Sequence, residues 1–337
     1  MSTRSVLSLV YAIHNLNDMG IDCSDILRKY GFSMDHLDPF GQIDRATELK
    51  ILNELMPRID DPVCGLKLGQ QFSLVGYGPF SLMLMTAPSA YDACRMGIQY
   101  QELTYLYGKM ELDLSPTNSG LNIYISPLPD SVRDFLIDRD IAGTYQLLLD
   151  IMKIVDEPVE VKEVWIPHGH NNQADVYKTA FGCDVRFNAP HTRLEIENVN
   201  LGLPFPQSNP IAFNLYKAQC DNLLNERSQD SSQLSSQVES YLELFEYQFP
   251  KLQEVATLFG ISERSLRRQL KAEATSFQQV LNRVRFHKAQ TLLKTTQLSV
   301  DHIAERLGYS EPASFNHAFT RWAQISPTIF RKQHNES

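Results

Sequence analysis

Leu252-Gln-Glu-Val-Ala-Thr-Leu-Phe-Gly-Ile-Ser-Glu-Arg-Ser-Leu-Arg-Arg-Gln-Leu270 and Val300-Asp-His-Ile-Ala-Glu-Arg-Leu-Gly-Tyr-Ser-Glu-Pro-Ala-Ser-Phe-Asn-His-Ala-Phe319 are two copies of one pattern. Leu252, Val255, Ala256 and Phe259 stand at i, i+3, i+4 and i+7, and Val300, Ile303, Ala304 and Leu307 repeat that spacing. Each set makes an apolar stripe on one helix face. Gly260 and Gly308 come next, where the helix must stop and the backbone needs a left-handed turn. Ser262 and Ser310 are then placed to cap a second helix, anchored by Leu266 with Leu270 or by Phe315 with Phe319. Ala256 and Ala304 mark the crossing point, where a bulky side chain would force the two helices apart. Helix, glycine turn and helix crossing at a small residue make a helix-turn-helix. Two such units are predicted, at 252–271 and 300–321.

Between the copies, Phe277, Val280, Leu281, Val284, Ala289, Leu292 and Leu293 fit one long amphipathic helix. From Ser276 to Leu293 it would run ~27 Å at 1.5 Å per residue. Two recognition helices would then lie on one face about one DNA turn apart, ~34 Å. With Leu266 and Leu270 turned inward, Arg264 and Arg268 share an outward stripe and suit bidentate contact with guanine. Arg267 and Lys271 flank them and suit phosphates. In the second unit Ser314, Asn316 and His317 are the expected base contacts, with Thr320 and Arg321 on phosphate. Pro312 pre-sets φ at the first helical position.

Charge is distributed to match. The 337-residue chain has a formal net charge of −9, yet Lys251 to Ser337 holds 13 Lys and Arg against 7 Asp and Glu. The residues before it hold 18 against 33. An acidic body with a basic end is expected when only one part meets a polyanion. Asn225 to Gln237, with five Ser and three Gln, leaves almost nothing to bury and reads as a linker.

The acidic body reads as α+β with a small sheet. Val6, Leu9, Val10 and Ile13 form one helix face, and Leu49, Leu52, Leu55 and Met56 another. Ser89 with Asp92 has the form of a helix N-cap. Met110, Leu112 and Leu114, then Leu121, Ile123 and Ile125, alternate around Thr117-Asn118-Ser119-Gly120 as a β-hairpin does. A long helix is predicted from Asp130 to Val155, with strands near 164–166, 185–187 and 194–196 and a last helix from Pro210 to Glu226. Ile211, Leu215 and Ala218, with Leu223 and Leu224 beyond, give that helix a stripe that packs either on its own domain or on a second copy.

Enzyme signatures are weak. There is no Gly-x-Ser-x-Gly elbow and no phosphate loop, and Gly76-Tyr-Gly78 lacks a third glycine. His168-Gly-His170 has metal-site spacing, with Cys183 and His191 downstream, but reads better as loop histidines satisfied by backbone or water. Tyr100, Tyr105 and Tyr107 fit either a pocket or a core. Cys23, Cys64, Cys94, Cys183 and Cys220 read as reduced thiols. The N-terminus turns polar at His14 and resembles no signal peptide, so the cytoplasm is the expected compartment.

The chain resembles the AraC/XylS family of bacterial transcription regulators. Val255-Ala256, Gly260, Ser262, Arg264, Leu266, Arg268 and Leu270 carry the match, with Ile303-Ala304, Leu307-Gly308-Tyr309, Ser314-Phe315, Ala318-Phe319, Arg321-Trp322, Ser326-Pro327 and Phe330-Arg331. His317 departs from the long basic side chain that many members carry there. Gly65-Leu-Lys-Leu-Gly69, Tyr177, Phe181-Gly182, Phe187 and Leu203-Pro204 resemble the arabinose-binding-type sensor domain. The resemblance implies a sensing or dimerising domain over 1–226, a linker over 227–237 and a DNA-binding domain over 238–333. The expected function is a transcription activator controlled by a small-molecule effector, with double-stranded DNA, RNA polymerase and a second copy of the chain as partners, no membrane and no cofactor. The rival is an enzyme-like or metal-binding module with an accessory DNA-binding tail.

Overall fold

The computed structural model describes residues 3–33, 41–115, 118–125, 127–155, 160–169, 172–197, 202, 204–227, 234–245 and 248–335. The chain divides into two compact units, Met1–Asp230 and Ser231–Ser337.

The first unit opens with β1 (Thr3–Ser5), α1 (Leu7–Asp18), α2 (Ser24–Lys29), β2 (Gln42–Asp44), α3 (Arg45–Leu55), α4 (Cys64–Gly69), α5 (Pro79–Met85) and α6 (Ala90–Gln99). Most of the apolar spacings bury as expected: Val6 just before α1, Leu9 and Ile13 on it, and Leu49, Leu52 and Leu55 on α3 are in the core, while Val10 and Met56 are only half-buried. Ser89 caps α6 by accepting from Asp92 N at 3.2 Å. There follow β3 (Lys109–Asp113), β4 (Asn118–Tyr124), α7 (Asp130–Val155), β5 (Val161–Trp165), α8 (Ala174–Phe181), β6 (Asp184–Arg186), β7 (Thr192–Glu197) and α9 (Pro210–Arg227). Strands β1 and β2 pair with each other antiparallel, and the other five form one sheet in the order β3-β4-β7-β5-β6, with β5 and β6 parallel and the other pairs antiparallel.

The hairpin is present, but its turn lies elsewhere. Asn118, Ser119 and Gly120 are inside β4, with Gly120 opposite Asp113; Thr117 lies outside the described residues. A Cβ at Gly120 would meet the Arg193 guanidinium, which lies over the bare backbone there and would have to move. Helix α7 is central and packs on α3, α4, α8 and β7. Its crossing with α4 is close because Gly65 and Gly69 present bare backbone to Phe135 and Arg139, and a Cβ at either would strike a carbonyl. Arg139 is fully buried. Its Nη2 and Nε reach Asp140 Oδ1 at 2.6 and 3.0 Å, Nη1 donates to Ser8 Oγ at 3.1 Å, and Nη2 donates to the Tyr105 carbonyl at 2.9 Å. Ser8 in turn donates to Glu48 at 2.7 Å. A buried pair this well bonded fixes register between α1, α3 and α7, although its net contribution is small once desolvation is counted.

The second unit is helical: α10 (Leu234–Leu242), α11 (Leu252–Leu258), α12 (Glu263–Ala272), α13 (Phe277–Thr295), α14 (Val300–Arg306), α15 (Pro312–Ala323) and α16 (Pro327–Asn335). The expected linker is too long at its C-terminal end. Helix α10 starts at Leu234, and Leu234, Ser235 and Gln237 are buried. Leu234 N and Ser235 N both donate to the Glu273 carboxylate at 2.8 Å, so two orphan amides of the helix start are satisfied from the far side of the fold. Residues 228–233 of that stretch, and Leu203, lie outside the described residues. Among the described residues no helix is long and apolar enough to cross a membrane.

Candidate nucleic-acid interface

Both glycine turns close in the same way. Gly260 has φ +65° and Gly308 φ +72°, a region that costs other residues. Gly260 N donates to the Thr257 carbonyl and Ile261 N to that of Ala256, each at 3.0 Å. Gly308 N and Tyr309 N repeat this with Glu305 and Ala304 at 2.9 and 3.0 Å. This is the paired-bond helix end that a left-handed residue permits. Ala256 and Ala304 are buried at the crossings, as the spacing required.

The second helices start differently. Ser262 accepts from Ser265 N at 3.2 Å and caps α12 as expected. Ser310 does not cap α15. Glu311 holds the cap position at φ −135°, ψ 130° without a side-chain bond, and Pro312 is at the first helical position. Proline disfavours helical backbone at the residue before it, which fits the extended conformation of Glu311.

On α12, Leu266 and Leu270 are buried, while Arg264, Arg267, Arg268 and Lys271 are exposed. Arg267 stands 3.6 Å from Glu263, a surface pair worth little. The side chains of Arg264, Arg268 and Lys271 have no hydrogen bond or ion pair among the described residues. On α15, Phe315 and Phe319 are buried, while Ser314, His317, Thr320 and Arg321 are exposed. Asn316 is half-buried, and its Nδ2 donates to the Pro312 carbonyl at 3.1 Å, which leaves mainly its amide oxygen to offer. A groove of about 750 Å³ runs beside α13 between the turn after α12 and the end of α15, with Gln279, Asn282, Arg283, Arg321 and Trp322 on its walls.

Arg285 is a functional residue that the spacing of the sequence does not single out. Its guanidinium lies 4.7 Å from the Tyr309 ring centre and 5.5 Å from that of Phe249, and Nη2 donates to the Gly308 carbonyl at 3.2 Å. It rivets the second glycine turn to α13. An arginine on a basic helix gives no sequence signal for such a role.

The first unit holds a cavity of about 70 Å³ between α5, α6 and α7 and the edge of the sheet. Tyr100, Tyr105 and Tyr107 are all buried, and Tyr105 also lines this cavity, so the core and pocket readings both apply to it. His168 is held by a carboxylate rather than by backbone or water alone. Nδ1 faces the Gly169 carbonyl at 2.8 Å and Nε2 faces Asp138 at 2.9 Å. Burial lowers its pKa, but the Asp138 carboxylate outweighs that and the net shift is upward. His170 lies outside the described residues, and among those described no three His, Cys, Asp or Glu side chains converge as a metal site would need. The cysteines are free, with Cys23, Cys64 and Cys220 buried.

Residues 20–205 match the family described as the arabinose-binding domain of AraC transcription regulator, N-terminal, and residues 255–333 match a helix-turn-helix domain. An uncharacterised HTH-type transcriptional regulator of Mycobacterium tuberculosis is 27% identical over 94% of this chain and 93% of its own. The ornithine utilization regulator of Pseudomonas aeruginosa is 27% identical over 81% of this chain and 79% of its own. The crystal structure of the transcriptional regulator CdpR from the same organism is 22% identical, with a TM-score of 0.46 over 91% of this chain and 96% of that one.

Proposed function

The chain belongs to the AraC-type transcription regulators and is a DNA-binding protein, and from that premise we propose how its parts divide the work. Arg264 and Arg268 read bases in one major-groove segment, and Ser314, Asn316 and His317 read the next. Arg267, Lys271, Thr320 and Arg321 hold phosphates and set register. The observation that carries this is the exposed stripe of Arg264 and Arg268, whose side chains have no partner among the described residues, on a helix whose opposite face is locked by Leu266 and Leu270. An arginine with no internal partner loses no contact when it turns to a base edge.

The first unit acts as an effector sensor, and the protein works as an activator in the cytoplasm, touching RNA polymerase when bound. An effector shifts the equilibrium only as far as its affinity differs between the DNA-competent and incompetent states. A second copy docks through α9. Ile211 is 84% exposed and Leu215 55%, with Ala218 and Leu223 also exposed on that helix. Helix α9 packs on α5, and Cys220 on it is buried, which leaves the outer stripe available to a partner.

Genome-wide mapping of bound sites tests the reading. A small set of sites sharing one motif supports it, and uniform coverage that follows only DNA accessibility contradicts it.

A further inference from the structure

The cavity of the first unit carries the effector reading, on which this inference rests, to the chemistry of the effector. We infer that it takes a small, neutral and largely apolar molecule, with at most a hydroxyl as its polar group. Its volume of about 70 Å³ is several times the ~10–15 Å³ that admits one water. Phe80, Leu84, Met110, Leu121, Leu148 and Ile151 supply much of the wall, and no lining residue is charged.

The polar groups on the wall are already committed. Thr104 Oγ1 donates to the Gln101 carbonyl at 2.6 Å, and Thr144 Oγ1 donates to the Asp140 carbonyl at 2.7 Å. Tyr105 OH lies 3.2 Å from Thr144 Oγ1, whose proton is spent, so the phenol is the donor of that pair. Lone pairs and the Cys94 thiol remain. Within the pocket a carboxylate or phosphate would meet neither a cation nor a free hydroxyl proton, and an ammonium would meet no carboxylate, so either charge would lose water there without gaining a partner. A sugar fails for the same reason, since most of its hydroxyls would lose water without gaining a partner. The largely apolar wall instead favours an apolar guest.

Two walls connect this space to the end of the unit. Phe80 and Leu84 are on α5, which packs against α9. Asn209 N, at the start of α9, donates to the Thr86 carbonyl at 3.2 Å. Ala93, Cys94 and Gly97 form the α6 wall, and a Cβ at Gly97 would meet nothing within 4 Å. A guest wedged here presses on the elements that hold α9, the helix leading toward the DNA-binding unit.

The test uses the full chain and three six-carbon probes: 1-hexanol, hexanoate and hexylammonium, with L-arabinose as a fourth arm. Saturable binding of hexanol, seen as a raised melting temperature and by calorimetry, is expected, with no saturable effect from the two ions or the sugar. Gly97→Leu fills the space and is expected to abolish hexanol binding. Leu84→Ala enlarges it and is expected to tighten 1-octanol binding by about tenfold; this variant decides the matter if Gly97→Leu does not fold. No hexanol binding, equal binding of either ion or the sugar, or an unchanged chain-length preference in Leu84→Ala overturns the inference. Hexanol that binds as expected yet leaves DNA affinity unchanged supports the ligand class and contradicts effector control through this site, so the two failures are distinct.

Discussion

The Tyr100 phenol donates to Asp221 Oδ1 at 2.6 Å and fastens α9 to the end of α6. Lys217 joins the pair, 3.1 Å from Asp221 and over the Tyr100 ring at 5.7 Å. Burial and the neighbouring carboxylate push the phenol pKa up, so the proton stays on Tyr100 and the bond persists across ordinary pH. Tyr100→Phe removes the bond and keeps the packing. It is expected to cost about 1 kcal/mol, since Asp221 is half exposed. Urea unfolding measures the loss, and hydrogen exchange should quicken along α9. Unchanged protection of α9 would show that other contacts hold it.

Arg285 holds the second glycine turn through Tyr309, Phe249 and the Gly308 carbonyl, and is expected to affect DNA reading by position. Arg285→Ala removes two ring contacts and the bond to the Gly308 carbonyl, and is expected to cost about 1–3 kcal/mol of stability. Base preference should relax in the half-site read by α15 and persist in the half-site read by α12. A uniform loss over both halves, with stability unchanged, would assign Arg285 to phosphate instead.

The DNA-binding unit begins earlier than composition indicates. A fragment from Ser231 to Ser337 is expected to fold alone, because its cores are complete and Glu273 caps α10. A fragment from Val238 loses Leu234, the capped amides and the buried Ser235 and Gln237. It should melt earlier by about 2–4 kcal/mol equivalent. Circular dichroism melts compare the two, and equal stability would return the boundary to Val238.

Self-association through α9 is expected at tens of micromolar in a fragment from Met1 to Arg227, measured by light scattering. Leu215→Glu should give a monomer of unchanged fold, since the side chain already faces solvent. A wild-type fragment that stays monomeric would remove α9 as an interface.

The DNA-binding half was legible because its restraints are local. A glycine with positive φ, an alanine at a crossing and an i,i+4 apolar pair each act within a few residues, and Gly260, Ala304 and Phe315 with Phe319 are where the spacing put them. Ser310 failed as a cap because Pro312 shifted the extended residue by one. The end of the linker failed for a non-local reason: Leu234 is buried and capped by Glu273, thirty-nine residues on. In the first unit the long helix and the hairpin were periodic and readable. The Arg139–Asp140 pair, the Asp138–His168 contact and the cavity join residues from distant segments, and no spacing rule reports them.

Two helix-turn-helix units reading one DNA sequence would leave a distinct pattern in the sites the chain selects. Selection of bound duplexes from a random library by the full chain, repeated with Arg264→Ala and Arg268→Ala, tests it most directly. The account predicts one enriched site with two elements about one helical turn, ~10 bp, apart. Each substitution should cost about 1–3 kcal/mol and relax preference at one position of the first element. No enrichment by the wild-type chain, or substitutions that weaken every sequence equally, would contradict it.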